Sequence, residues 1–284
     1  MANSSAVSPA VSASMGALWA PYWWMARIAF LRLMAYRMRY VTGIATYSIF
    51  IGAQYFVWKA VYAARTDDVV NGFDLQQLTT YFAIGFIARA AYFTNIDSDI
   101  GNRFKNGEVT IDLLRPINVH AYWLAQGAGE TAFRILFFSL PMAVVVFPMF
   151  GVSPPTWDGV WQFPLLFLLA FWVNAEINFS TGIATFWLES NWGLMSFKRN
   201  LLMLASGLLV PLSFIEAWAG STVVNILTAL PFAWIGYYPT LAYVGQLPDF
   251  TTVVVWGLLW AVGLRLLNLW LWRLAARRLE IQGG

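Results

Sequence analysis

Residues 163–187, FPLLFLLAFWVNAEINFSTGIATFW, form a run of 25 with a single charged side chain, Glu176. As a helix rising about 1.5 Å per residue, such a run is longer than the ~30 Å of hydrocarbon in a bilayer. Working outward in both directions, further apolar runs fall at about 41–62, 79–96, 131–150, 200–215 and 251–272. One such run fits the core of a large soluble protein; six in 284 residues do not.

Composition excludes the same alternative. The chain is 60% hydrophobic and 11% charged, where an ordinary soluble domain carries roughly 25% charged residues. Fourteen acids and 17 bases cannot coat that apolar mass, so a water-soluble enzyme is ruled out and lipid must be the solvent. The expected fold is an all-α membrane protein with six transmembrane helices. A net charge of +3 does not point to nucleic acid, because the bases flank apolar runs instead of forming a stripe on a polar fold. With no cysteine and one histidine, His120, the material for a metal site is lacking. No catalytic motif such as H-E-x-x-H or G-x-S-x-G is present.

The scarce bases report orientation. Arg27, Arg32, Arg37 and Arg39 precede the first run; Arg103, Lys105 and Arg115 lie between the second and third. Lys198 and Arg199 lie between the fourth and fifth, and Arg273, Arg277 and Arg278 follow the sixth. The opposite side has Lys59 and Arg65 offset by Asp67, Asp68 and Asp74, then only Asp158, Glu216 and Asp249. Both termini are therefore expected in the cytoplasm. Residues 1–20, small and polar, read as a disordered cytoplasmic tail, and 21–284 as a single membrane domain. Its residues 21–40, which interleave aromatics with arginines, suit a helix in the headgroup layer or the basic foot of the first span. Tryptophans cluster near the run ends (Trp19, Trp23, Trp24, Trp58, Trp157, Trp161, Trp187, Trp192, Trp270, Trp272), an interfacial-belt distribution.

The polar loop 97–130 is longer than most connections in compact structures and patterned throughout. Asp97, Ser98 and Asp99 are competent helix N-caps. A short amphipathic piece follows over 100–104, then a Gly107 break, a second apolar set (Val109, Ile111, Leu113, Leu114) and the stop Arg115-Pro116. This composition suits a short helix along the membrane surface with one face open to a soluble partner. Residues 216–246 are too apolar for a solvated loop and are punctuated by Pro231 and Pro239. They read as re-entrant or interfacial helices sheltered by protein.

Within the runs, Glu176, flanked by Asn174 and Asn178, lies near mid-span, where a carboxylate costs about 2.5 to 3.5 kcal/mol. Arg89 in the second run falls at a similar depth, and the two are expected to pair, directly or through water. Their role is either a polar lining of a translocation path or a packing contact. Arg134 is expected to snorkel to the interface, and His120 to be a cap or surface residue.

Several motifs in order carry a resemblance: Phe186-Trp187-Leu188-Glu189, then Leu204 through Phe214 with Ser206-Gly207 and Pro211, then Leu230-Pro231-Phe232-Ala233 and Tyr238-Pro239. The stretch from Ile100 to Pro116, with its Gly-to-Leu-Leu-Arg-Pro spacing, and the terminal Arg277-Arg278-Leu279-Glu280-Ile281-Gln282-Gly283-Gly284 extend it over most of the chain. The chain resembles the six-span permeases of the type-2 ABC-transporter superfamily. The resemblance implies a subunit of an ATP-driven exporter in the inner membrane of a bacterium, working by alternating access with a second permease, a heterodimer more than a homodimer. It also implies two copies of an ATPase that hold ATP and Mg, docked on a coupling helix within 97–116. The ATPase-coupling candidates are Asp97, Asp99, Ile100, Arg103, Phe104, Lys105, Glu108 and Asp112. The translocation candidates are Arg89, Glu176, Asn174 and Asn178, and the outer-gate candidates are Pro211, Pro231 and Pro239. The chain has no phosphate-binding loop of its own, since Gly101 to Gly107 is followed by Glu108-Val109 and not Lys-Ser/Thr. The competing expectation is an ion-coupled carrier with Glu176 as the proton site; the lack of an internal repeat counts against it.

Overall fold

The computed structural model describes residues 15–66, 68–114, 117–188 and 191–282. Among them every regular element is helical, apart from one isolated bridge between Val70 and Phe73. The expected tail over residues 1–14, the Arg115-Pro116 stop, Glu189 and the two final glycines lie outside the described residues.

Helix α1 (Met15–Met34) begins earlier than expected, so residues 15–20 belong to a helix and not to the tail. Pro21 lies in its second turn, where the ring removes one backbone bond without ending the helix. Nor is 21–40 one element: α1 stops at Met34, a turn follows, and α2 (Met38–Ala63) takes up Arg39 and Tyr40. Helix α3 (Leu75–Tyr92) starts at a capping box in which Gln77 N donates to Asp74 Oδ1 at 2.7 Å and Asp74 N to Gln77 Oε1 at 3.2 Å. Thirteen of the 18 α3 residues are buried, and from Leu78 to Tyr92 all but Ile87 and Arg89, which is where a helix that is apolar on most sides belongs.

Among the described residues, three helical stretches are long and apolar enough to cross a bilayer. The first, Val119–Phe150, joins α6 (Val119–Arg134), a π-helical turn (Ile135–Ser139) and α7 (Leu140–Phe150). The second, Trp157–Trp187, is α8 (Trp157–Ala184) with a final 3-10 turn, and the third is Phe250–Arg277 of α13 (Phe250–Gln282). The fifth expected run, 200–215, is not a single helix. Helix α9 (Asn191–Ala205) ends, the chain turns through Gly207 at φ +72°, and α10 (Leu212–Ala219) starts after Pro211. Only glycine adopts that φ without strain, and Tyr81 Oη pins the turn by donating to the Gly207 carbonyl at 2.8 Å. Short pieces follow: α11 (Ser221–Ala229), a 3-10 turn at Pro231–Ile235, and α12 (Tyr237–Val244).

The main core centres on α3, with Tyr81, Phe82 and Tyr92 packed against Met142, Leu166, Trp234 and Leu241. A second apolar cluster lies beneath the polar loop. It joins Ile96, Ile100 and Phe104 of α4 (Ile96–Lys105) and Val109 of α5 (Val109–Leu114) to Trp123, Phe179, Ile183 and Ala275. The loop is thus a docked part of the fold.

Helix α1 lies along α6, and Gly129 lets it approach. A Cβ at that position would sit 2.0 Å from the carbonyl oxygen of Ala26. Because the obstacle is backbone, Gly129→Ala is expected to cost about 3 kcal/mol, the upper part of the overpacking range. A melt of the purified chain checks this, and an unchanged midpoint would mean that α1 is not held there.

Candidate functional site

The structure divides the eight coupling candidates by direction. Asp97, Ile100, Phe104 and Asp112 are buried; Asp99 and Arg103 are half-buried; Lys105 and Glu108 are exposed. Asp97 is not an N-cap: Asn95 holds that position without a side-chain bond, and Asp97 and Asp99 fall in the first turn, where negative charge suits the helix dipole. Asp97 instead pairs with Lys198 of α9, whose Nζ also donates to Asn178 Oδ1 of α8 at 2.7 Å. Asn178 Nδ2 donates in turn to Thr94 Oγ1 at 3.0 Å. Gly182 of α8 provides the apolar half of the same seam, since a Cβ there would stand 2.8 Å from Ile100 Cβ.

The two short helices are tied together by Arg103, whose Nη1 donates to both carboxylate oxygens of Asp112 at 2.6 Å. Partial burial alone would lower the Arg103 pKa, but the bond to and charge of Asp112 raise it above the ordinary arginine value. Facing away from the fold are Lys105, Glu108, Ile111 and Leu114, the last two 53% and 84% exposed. Ile111 and Leu114, read from the sequence as apolar anchors, are the outward side chains that the candidate set omits. Their spacing of three, with Val109 turned inward, is the signal that distinguishes them.

The expected Arg89–Glu176 pair does not form. Glu176 is fully buried and faces α6 and α13. Its Oε2 lies 2.9 Å from His120 Nε2 and accepts from Asn268 Nδ2 at 2.7 Å, while its Oε1 accepts from Trp172 Nε1 at 3.1 Å. Ser180 Oγ completes the knot by donating to Asn268 Oδ1 at 2.7 Å. His120 is accordingly neither cap nor surface residue: Asn118 caps α6, accepting from Ala121 N at 3.0 Å, and the imidazole points inward. Equal depth along two helices does not fix their facing, and α3 turns Arg89 the other way.

Arg89 lies in a cavity of about 220 Å³ between α2, α3 and α9, with Tyr47, Phe86, Arg199 and Met203. Its guanidinium sits over the rings of Tyr92 and Phe93, at 5.8 and 5.3 Å. Its Nη1 is buried without a partner among the described residues. Asn174 faces the core and donates to the Tyr92 carbonyl at 2.9 Å. Pro211, Pro231 and Pro239 are all buried and stand at or near the starts of α10, the 3-10 turn and α12.

No curated protein and no solved structure matches the chain. The sequence profile of a family described as ABC-2 family transporter protein matches residues 48–283. That match takes in α3, the α4–α5 segment, α8 and the broken fifth run. With its long apolar helices, the chain is a multi-pass membrane protein belonging to the ABC-2 transporter family.

Proposed function

We propose that this chain is the membrane subunit of an ATP-driven exporter, with a separate ATPase docked on the outer face of α4 and α5. The observation that carries the reading is the division of that segment into an anchored side and an open side. Asp97, Ile100 and Phe104 fasten it to α8 and α9, while Lys105, Glu108, Ile111 and Leu114 face outward. A surface element firmly attached to the long helices, with exposed apolar side chains between charges, can pass a push inward. The family's usual partnership with an ATPase supplies the source of the push.

In this reading the chain crosses the inner membrane of a bacterium six times with both ends in the cytoplasm. The fifth crossing is α9 with the α10–α11 hairpin. Two ATPase copies bind ATP and Mg, and a second permease completes the pathway. The cavity at Arg89 opens between α2, α3 and α9, and the unpartnered Nη1 there suits a polar group on a passing substrate. Pro231 and Pro239 hold the short helices that shape the outer end. Glu176, with its oxygens already engaged by three side chains, supports a role in packing over that of a proton carrier.

The direct test is Ile111→Glu with Leu114→Glu. Loss of exposed hot-spot side chains costs on the order of 1 to 2 kcal/mol each, so ATPase capture by the detergent-solubilised permease should fall tenfold or more. Melting of the permease should stay unchanged, because neither side chain packs inside. Normal ATPase capture and normal transport by the double variant would overturn the docking assignment.

A further inference from the structure

A second polar cavity, of about 420 Å³, lies between α1, α2, α4 and α6. It does not belong to the outward face of α4 and α5, and it shares only Tyr47 and Phe93 with the space around Arg89. Its walls carry Arg32 from α1, Arg39 and Tyr40 from α2, Asp99 from α4, and Glu130 and Arg134 from α6. Three cations face two acids. Burial, reinforced by the charge of Glu130, raises the pKa of the Asp99 carboxyl above its ordinary value.

The arginines are unequally satisfied. Arg32 Nη2 donates to Glu130 Oε1 at 2.7 Å. Arg134, expected to snorkel, is instead only 7% exposed. Its Nη2 is 3.8 Å from Glu130 Oε2, too far for a hydrogen bond, and its Nε is buried with no acceptor among the described residues. The rings of Tyr40 and Phe93, 5.7 and 5.4 Å from the guanidinium carbon, hold the group in place. Leaving a buried cationic donor unmet is costly, and the missing acceptor has room in this cavity.

Depth identifies the acceptor. Arg134 is the last ionisable side chain before 135–150, an uncharged stretch whose one polar side chain, Ser139, is satisfied by the Ile87 carbonyl, so it stands where hydrocarbon gives way to headgroups. On α1, which forms one wall, Trp19, Trp23 and Trp24 are exposed, as interfacial anchors are. Basic pockets between helices at this level take lipid phosphates. We propose that this cavity binds the phosphate of an anionic phospholipid headgroup, with Arg134 and Arg39 as its donors and Arg32 held aside by Glu130. The volume exceeds what a bare phosphate needs and leaves space for the rest of a headgroup.

Native mass spectrometry of the full chain, released from nanodiscs of mixed phosphatidylglycerol and phosphatidylcholine, tests the site. Wild type should retain phosphatidylglycerol in preference to phosphatidylcholine. Arg39→Gln, at an exposed position, should lower that retention about tenfold. Arg134→Gln should lower it further while changing the melting midpoint little, because Glu130 keeps its bond to Arg32 and the buried Nε donor without an acceptor is removed; a merely structural arginine would cost stability and leave the lipid preference intact. Should Arg134→Gln fail to fold, Arg39→Gln decides the matter alone. Equal retention of both lipids, or retention unaffected by Arg39→Gln, would overturn the proposal. Displacement of phosphatidylglycerol by millimolar inorganic phosphate would overturn the lipid source and assign the cavity to a soluble phosphate compound.

Discussion

Glu176→Ala is expected to cost the fold about 3 to 5 kcal/mol, the range for removing one member of a buried charged or hydrogen-bonded set. The carboxylate is the shared acceptor for His120 of α6, Trp172 of α8 and Asn268 of α13. Alanine leaves all three polar side chains without the acceptor they share. Glu176→Gln keeps one carbonyl acceptor and should lose much less, about 1 to 2 kcal/mol. Thermal unfolding followed by tryptophan fluorescence in mild detergent reads both changes. A cycle with His120→Ala should show a large non-additive term, since the two side chains touch. Arg89→Gln provides the contrast: its Nη1 has no partner to lose and its guanidinium gives up only the ring contacts to Tyr92 and Phe93, so the melting midpoint should fall far less than for Glu176→Ala while transport falls. If Glu176→Ala melted like wild type and still abolished transport, Glu176 would be a path residue and the ion-coupled reading would regain ground.

That contrast marks where sequence reasoning reached and where it stopped. Long runs such as 163–187 reveal themselves because lipid demands about 20 apolar residues in a row, and the helices at Trp157–Trp187 and Phe250–Arg277 follow. The short amphipathic piece, the Gly107 break and the second apolar set of the 97–114 segment are legible too, because turn chemistry and amphipathic spacing are local, although the reading expects one short helix where the structure has two. Pairing is different. Depth along a helix can be counted from its ends, yet the direction a side chain faces depends on neighbours distant in sequence. Hence Arg89 and Glu176 looked like partners, while the actual partner of Asp97 is Lys198, 101 residues away. The break at 206–211 was hidden for a related reason. Ser206-Gly207 and Pro211 are visible signals, but an unbroken apolar run outweighs them until Tyr81 and Tyr237, packed around Gly207, show what the turn is for.

Lys198→Met is expected to be nearly as damaging to stability, again by about 3 to 5 kcal/mol, because it strands the buried Asp97 without its counter-charge. The informative variant is the double one, Asp97→Asn with Lys198→Met, which removes both charges at once. Exchanging a buried ion pair for neutral groups of similar volume is often close to neutral for stability, so the double variant should melt near the wild-type midpoint. Its transport should not recover. In wild type the ammonium connects α4 to α9 and, through Asn178, to α8, whereas methionine provides no directed bond to any of them. A displacement of α4 by a docked ATPase would then be carried only by apolar contacts such as Ile100 against Gly182, which slide more readily than a hydrogen-bonded ion pair shears. In proteoliposomes containing the permease and its ATPase, the expected signature is ATP hydrolysis that continues while substrate movement falls severalfold or more. Recovery of both stability and transport in the double variant would make the ion pair a packing device. The push would then have to enter the long helices through the Gly182–Ile100 seam, where Gly182→Leu would be the variant that uncouples them.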